Sequence, residues 1–292
     1  MSEHPIYEHL RDALRTERPV ALATITAASV EDASVRGGPA VGAKLLVEPD
    51  GTVLGSLGDA DLDRVVGRDA LGELESGLTV TRHYGEHGEA REDTVSVFIE
   101  SFAPPPRMVI FGAVDFTRAL ANVAKVLGYR VVVCDARAVF ATRQRFPMAD
   151  EVVNEWPDRY LEKIGDDLGP RDAVCVLTHD TKFDVPAIVG SLATRVGYLG
   201  AMGSRRTHDK RMERLREAGV TDDELRRIHA PIGLDIGGRT PEETAISICA
   251  EIIANRTGRI PKALRDTEGP IHDVQADPTP ADADAPAASG AN

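Results

Sequence analysis

A chain of 292 residues with 42% hydrophobic and 28% charged side chains has the composition of an ordinary globular protein, long enough for two domains. Its formal charge of −13 excludes nucleic acid or an anionic membrane as the main partner, because both require a basic face. No stretch approaches the roughly 20 apolar residues of a membrane span, and no basic segment leads into an apolar one near the start, so the cytoplasm is the expected location.

The acidity is uneven. Residues 1–103 carry 9 basic and 19 acidic side chains, whereas residues 104–265 carry 25 and 22, a balance of +3. An anionic small molecule is therefore expected in the middle block. The three cysteines, Cys134, Cys175 and Cys249, lie far apart inside apolar runs, which reads as buried small hydrophobes rather than a disulfide framework or a metal site.

In chain order, a leading helix is expected near residues 6–17, then strands at 20–25 and 43–47. The turn Glu48-Pro49-Asp50-Gly51 makes a hairpin with 52–55, and another strand follows at 94–99. His83 and His87 share a Gly-rich hairpin rather than a helix, which argues against zinc. Pro104-Pro105-Pro106 excludes helix and ladder pairing and closes a strand-rich α+β domain at 1–103.

Beyond the prolines the pattern changes to short unalternating apolar runs at 108–111, 131–134, 151–153, 173–177 and 196–199. Amphipathic stretches such as 117–127 separate them. Strands without alternation, divided by helices, predict a doubly wound, Rossmann-like parallel sheet over 107–260. Gly128 and Gly219 stand where helices at 117–127 and 205–218 should end, and Thr221-Asp222-Asp223-Glu224 and Thr240-Pro241-Glu242-Glu243 are capping boxes. The helix at 241–256 is apolar on most sides and is expected to be buried. From Asp266 to Asn292 the chain is Asp-, Ala- and Pro-rich with few large apolar residues, so an acidic disordered tail is expected.

Four segments carry candidate chemistry. Gly112-Ala113-Val114-Asp115-Phe116-Thr117 occupies the place of a Gly-x-Gly-x-x-Gly phosphate turn, with only the first glycine present. Asp135 ends the next strand, as either a ribose-binding acid or a plain cap of its own turn. Thr178-His179-Asp180 follows the fourth strand of this half, at the sheet edge where ligands bind. Gly200-Ala201-Met202-Gly203-Ser204-Arg205-Arg206 follows the fifth and opens a helix, so small residues, backbone N–H groups and two arginines form an anion cradle. The next turns of this helix bring Lys210, Arg211, Arg214 and Arg216, and the alternative reading, a solvated basic face, covers Arg214 and Arg216 better than Arg205 and Arg206. The loop Pro231-Ile232-Gly233-Leu234-Asp235-Ile236-Gly237-Gly238 either closes over a ligand or merely connects two elements.

Taken together, Leu177-Thr178-His179-Asp180 with Lys182, Phe183, Asp184 and Pro186, the 200–206 string, His229-Ala230-Pro231-Ile232-Gly233-Leu234-Asp235-Ile236-Gly237 and Thr240-Pro241-Glu242-Glu243 resemble the XdhC/CoxI family. The resemblance covers about residues 107–253 and, more weakly, Val41-Gly42-Ala43-Lys44-Leu45-Leu46-Val47 and Gly55-Ser56-Leu57-Gly58. It implies an accessory protein without catalytic turnover that binds the molybdenum cofactor (molybdopterin) and hands it to an apo molybdenum hydroxylase of the xanthine dehydrogenase or carbon monoxide dehydrogenase type. It also implies a cysteine desulfurase as a further partner and a homodimer. The cofactor-binding residues expected are Gly112, Ala113, Val114, Asp135, Thr178, His179, Asp180, Gly200, Met202, Gly203, Ser204, Arg205 and Arg206, with no catalytic residue and no metal ligand. Two departures stand out. Asp59-Ala60-Asp61 replaces the family's Gly-Gly-Cys run, and Val114 and Thr117 replace glycines of the phosphate turn. An NAD(P)-dependent oxidoreductase and a pure docking scaffold are the competing expectations.

Overall fold

The computed structural model describes residues 4–29, 38–90, 92–178 and 180–268. The tail expected to be disordered lies outside them apart from its first three residues. The order of elements is α1 (His4–Arg15), β1 (Val20–Ala28), β2 (Lys44–Val47), β3 (Val53–Ser56), α2 (Ala60–Ser76), β4 (Val80–Tyr84) and β5 (Val95–Phe102). The second half follows with β6 (Arg107–Phe111), α3 (Asp115–Val126), β7 (Arg130–Cys134), β8 (Glu151–Val153), α4 (Pro157–Ile164), β9 (Ala173–Val176), α5 (Thr181–Leu192), β10 (Tyr198–Ala201), α6 (Arg205–Glu217), α7 (Asp222–Leu225), β11 (Ile228–His229) and α8 (Pro241–Thr257).

The first five strands form an antiparallel sheet in the order β3-β2-β1-β5-β4. One face buries Ala21, Ala23 and Ile25 against Leu62, Val66, Ala70 and Leu74 of α2; the other carries the smaller cluster of Val20, Leu22 and Leu46 under Ala13 of α1. Helix α2 was not expected from the sequence. Its signals are nevertheless present: Asp59 accepts from the N–H groups of Asp61 and Leu62, apolar residues recur every four positions, and Gly77 ends the helix at φ +66°. Gly67 and Gly72 inside the segment, together with seven charged residues, obscure that period.

The second sheet is wholly parallel, in the order β11-β10-β9-β6-β7-β8. This is the dinucleotide-fold order, with the winding reversing between β6 and β9. Period-two alternation places Met108, Ile110, Val131, Val133 and Cys175 on the face covered by α3 and α8. Val109, Phe111, Val132, Val174 and Val176 lie on the face covered by α4, α5 and α6. The strand expected at 196–199 runs two residues later. Helix α8 is buried on one side only, through Ala245, Ile248, Cys249 and Ile252, while Ile246 and Ile253 remain exposed. Both capping boxes form. All three cysteines are free and buried, and burial pushes the Cys134 thiol up to about 12 and that of Cys249 to about 11. Among the described residues no helix is long and apolar enough to cross a membrane.

Candidate functional site

Every candidate residue that the structure describes sits at the carboxyl ends of the parallel strands, but their chemistry differs. His179 lies outside the described residues. Gly112 leaves β6 at φ +110°, and a Cβ there would lie 2.9 Å from the Thr178 amide nitrogen, so glycine is required by close approach of two strand exits. The N–H groups of this turn are already spoken for. Gly112 donates to the Cys134 carbonyl at 3.0 Å, Ala113 to Asp135 Oδ2 at 2.8 Å and Val114 to Thr117 Oγ1 at 3.3 Å, while the Thr117 hydroxyl donates to the Gly112 carbonyl. Thr117, buried in place of the third glycine, closes the turn on itself. In the phosphate turn expected at 112–117, the amides of Gly112, Ala113 and Val114 are therefore consumed within a structural corner, which revises the reading of these three as direct amide donors, while those of Asp115 and Phe116 at the start of α3 have no acceptor among the described residues.

Asp135 is part of the same corner. Its Oδ1 accepts from the backbone and Nε of Arg137, each at 2.9 Å, and its Oδ2 accepts from Arg137 Nη2 at 2.7 Å as well as from Ala113. Burial pushes the carboxyl up, yet the bonds from Arg137 and Ala113 outweigh it and hold the group below the usual range. Asp135 thus caps its own turn in this structure. Thr178 is buried and its hydroxyl accepts from the Asp180 amide at 3.2 Å; Asp180 caps α5 and lies 3.6 Å from Lys182 Nζ. The crevice between β6 and β9, walled by Gly112, Asp135, Thr178 and Phe183, holds only about 10 Å³.

The exit of β10 is arranged in the opposite way. Gly200 belongs to the strand, and its missing Cβ makes room for the Ile232 side chain, so its role is packing rather than ligand contact. The Met202 amide donates back to the Val176 carbonyl at 2.8 Å. Gly203 then turns the chain at φ +153°, and Ser204 caps α6 by accepting from the Thr207 amide at 3.2 Å. Among the described residues the amides of Gly203, Ser204, Arg205 and Arg206 have no acceptor, and the side chains of Arg205 and Arg206 are exposed and make no ion pair. A 13-residue helix points its positive end at this spot.

Arg211, one of the basic residues on the helix that follows the cradle, is buried beneath the turn. Its Nε donates to Asp184 Oδ2 at 3.0 Å and its Nη2 to the Met202 carbonyl at 2.8 Å, with both charged side chains only 2% exposed. Arg211 Nη1 and Asp184 Oδ1 are buried without a partner among the described residues, and Nη1 lies 3.6 Å from where a Cβ of Gly203 would stand. The donor set, an orphan guanidinium nitrogen behind a glycine turn with free amides and two exposed arginines in front, fits a phosphate group.

Two further features escaped the sequence reading. A cavity of about 470 Å³ opens between the first turns of α3 and α8, lined by Val114, Arg118, Asn122, Arg145, Pro241 and Glu242. The 230–238 loop is tied down by Glu251, which accepts from the Tyr198 hydroxyl at 2.5 Å and the Gly233 amide at 2.8 Å, while His229 stacks on Tyr198 at 4.6 Å. The loop thus connects and braces. Its Glu251 anchor lies 18 residues downstream of Gly233, too far for a local motif to reveal.

The sequence model of the XdhC Rossmann domain matches residues 108–252, and that of the XdhC and CoxI family matches residues 13–85. Escherichia coli YqeB, itself uncharacterized, is 31% identical over 224 residues, covering 74% of this chain and 40% of its own. A Bacillus subtilis protein named as a probable subunit of xanthine dehydrogenase is 33% identical over 56% of this chain and 47% of its own. The Escherichia coli molybdenum cofactor insertion chaperone PaoD is 28% identical over 54% of this chain and 43% of its own. The chain therefore spans less than half the length of these curated relatives. A crystal structure described as a xanthine dehydrogenase from Bacillus halodurans aligns with a TM-score of 0.47 at 23% identity, over 86% of this chain and 96% of that one. The two family matches fall on the two sheets in turn, and the chain belongs to the XdhC/CoxI family.

Proposed function

We propose that this protein is a cytoplasmic accessory in the maturation of molybdenum hydroxylases. It holds the molybdenum cofactor as cargo by its phosphate at the 203–206 turn and passes it to an apo-enzyme of the xanthine dehydrogenase or carbon monoxide dehydrogenase type. The observation that carries this reading is the contrast between two strand exits of one sheet. The 112–114 turn has its amides consumed, whereas the 203–206 turn keeps free amides at a helix N-terminus with Arg205 and Arg206 beside them. Kinship with a named molybdenum cofactor insertion chaperone supplies the ligand class. The same contrast disfavours an NAD(P) oxidoreductase, since the first amides of the phosphate turn are consumed and the acid that would meet a ribose is bonded to Arg137.

Isothermal calorimetry with the molybdenum cofactor tests the proposal. If Arg205 and Arg206 each add one charge-assisted bond of about 1.5 kcal/mol, replacing both by alanine weakens binding by about two orders of magnitude. Arg214 and Arg216 lie more than two turns from the helix start, and Arg216 already faces Asp222, so their double replacement changes little. Equal affinity in the two double variants sinks the cradle.

A further inference from the structure

We propose that Trp156, Phe183 and Arg137 form a stacking platform for a flat fused-pyrimidine ring, a pterin or a purine. The platform lies on the rim of the closed crevice beside the phosphate cradle. The proposal takes its ligand class from the function proposed above, but its geometry is independent of the 203–206 turn.

The platform is built from three elements. Trp156 precedes α4, and its ring centroid lies 5.0 Å from that of Phe183, tilted by 42°. Phe183, in the first turn of α5, is buried, with the Arg137 guanidinium 5.7 Å and the Lys182 ammonium 5.4 Å from its centroid. Arg137 also lies 4.7 Å over the Phe140 ring. Its Nε and Nη2 are fixed by Asp135, which locks the plane of the guanidinium and leaves Nη1 unbonded to any described residue. Trp156 is 41% exposed and Phe140 40% exposed.

Two partly exposed rings, Trp156 and Phe140, flank the buried Phe183 and the immobilised Arg137 guanidinium at the carboxyl edge of the sheet, where a doubly wound fold binds its ligand. Fixed flat faces stack rings at little entropic cost, and cations beside them favour an electron-rich heterocycle. A free Nη1 is suited to the carbonyl edge of a pterin or guanine. The near absence of space inside the crevice means that the ring lies across the rim rather than within it.

One helix turn joins this platform to the cradle. Phe183 faces the platform, while the next residue, Asp184, holds Arg211 under the 203–206 turn. Helix α5 follows β9, whose neighbour β10 leads to Gly203, so the two subsites are separated by strand spacings of about 5 Å each, within reach of one ring-bearing phosphate ester.

Trp156 is the single tryptophan of the chain, so its emission reports this spot alone. The full chain is titrated with 6-hydroxymethylpterin in one arm and guanosine in the other, both rings without phosphate. A saturable change in Trp156 emission is expected. Response to the pterin alone identifies a pterin platform, and response to both identifies a general fused-pyrimidine platform. Calorimetry on Trp156→Ala is expected to show about ten- to a hundredfold weaker ring binding, with Trp156→Phe retaining most of the affinity and circular dichroism matching the parent. No saturable change with either ring overturns the platform, as does unchanged affinity in Trp156→Ala. If the complete cofactor binds through Arg205 and Arg206 while Trp156 emission stays constant, the platform fails and the cradle stands.

Discussion

Arg211 is the residue whose energetics bear most directly on the cradle. Burying a guanidinium and a carboxylate together costs several kcal/mol of desolvation, which their attraction offsets only when the geometry is good and the remaining polar atoms are satisfied. Here one bond of 3.0 Å and a second to the Met202 carbonyl are made, and one atom on each side chain is left without a partner. Removing one member strands the other. Arg211→Met is expected to destabilise the fold by about 3 to 5 kcal/mol, read as a lower urea midpoint, whereas Asp184→Leu combined with Arg211→Met recovers most of the loss. A double variant no more stable than Arg211→Met would show that the pair has a net favourable energy in its own right. The sequence offered the clue to this burial. Arg211 stands four residues before the buried Leu215, on the inward face of α6, but a run of basic residues around it disguised the period.

Among the elements, those with local signals were legible: capping boxes, glycine stops and unalternating strands announced α7, α8 and the parallel sheet. What depended on distant partners was not. Consumption of the 112–114 amides rests on Asp135, 22 residues away, and the bracing of the 230–238 loop rests on Glu251. Glu251 also makes that brace pH-dependent. Burial raises its pKa, but hydrogen bonds from His229, Tyr198 and Gly233 outweigh burial and bring it below its ordinary value. A carboxyl lowered in the folded state contributes stability that is present above its unfolded pKa of about 4.3 and is lost as pH falls through the folded value. Glu251→Gln should therefore be less stable than the parent at pH 7, with the gap closing below about pH 4 in urea titrations at successive pH values. A gap that stays constant into acid would show that the carboxylate charge adds nothing to the brace.

At the scale of the whole molecule, the two sheets meet through the segment around Arg171 and Asp172. Asp172 Oδ1 accepts from the Arg107 amide at 2.6 Å and its Oδ2 from Gly169 at 2.8 Å, which fixes the start of β6 just beyond the three prolines. Arg171 Nη1 donates to the Pro104 carbonyl at 3.0 Å, and its guanidinium lies against Gly77, where a Cβ would come within 2.5 Å of Nε. Gly77 is the C-terminal stop of α2, so a cation from the parallel-sheet half sits at the negative end of a helix in the antiparallel half. The halves carry charge balances of −10 and +3, and this sense of attraction reinforces the contact and weakens with salt. Burial lowers the Arg171 pKa, but an arginine stays charged, so its removal takes away both a hydrogen bond and a helix-end charge. Arg171→Ala is expected to cost about 1 to 2 kcal/mol across this junction. In scanning calorimetry the variant's unfolding should broaden or split relative to the parent, and limited proteolysis should cut faster near residues 103–107. Gly77→Ala, which pushes the same guanidinium aside and strains a φ of +66°, should reproduce both effects. Melting curves and cleavage rates identical to the parent in both variants would mean that the prolines alone hold the halves together.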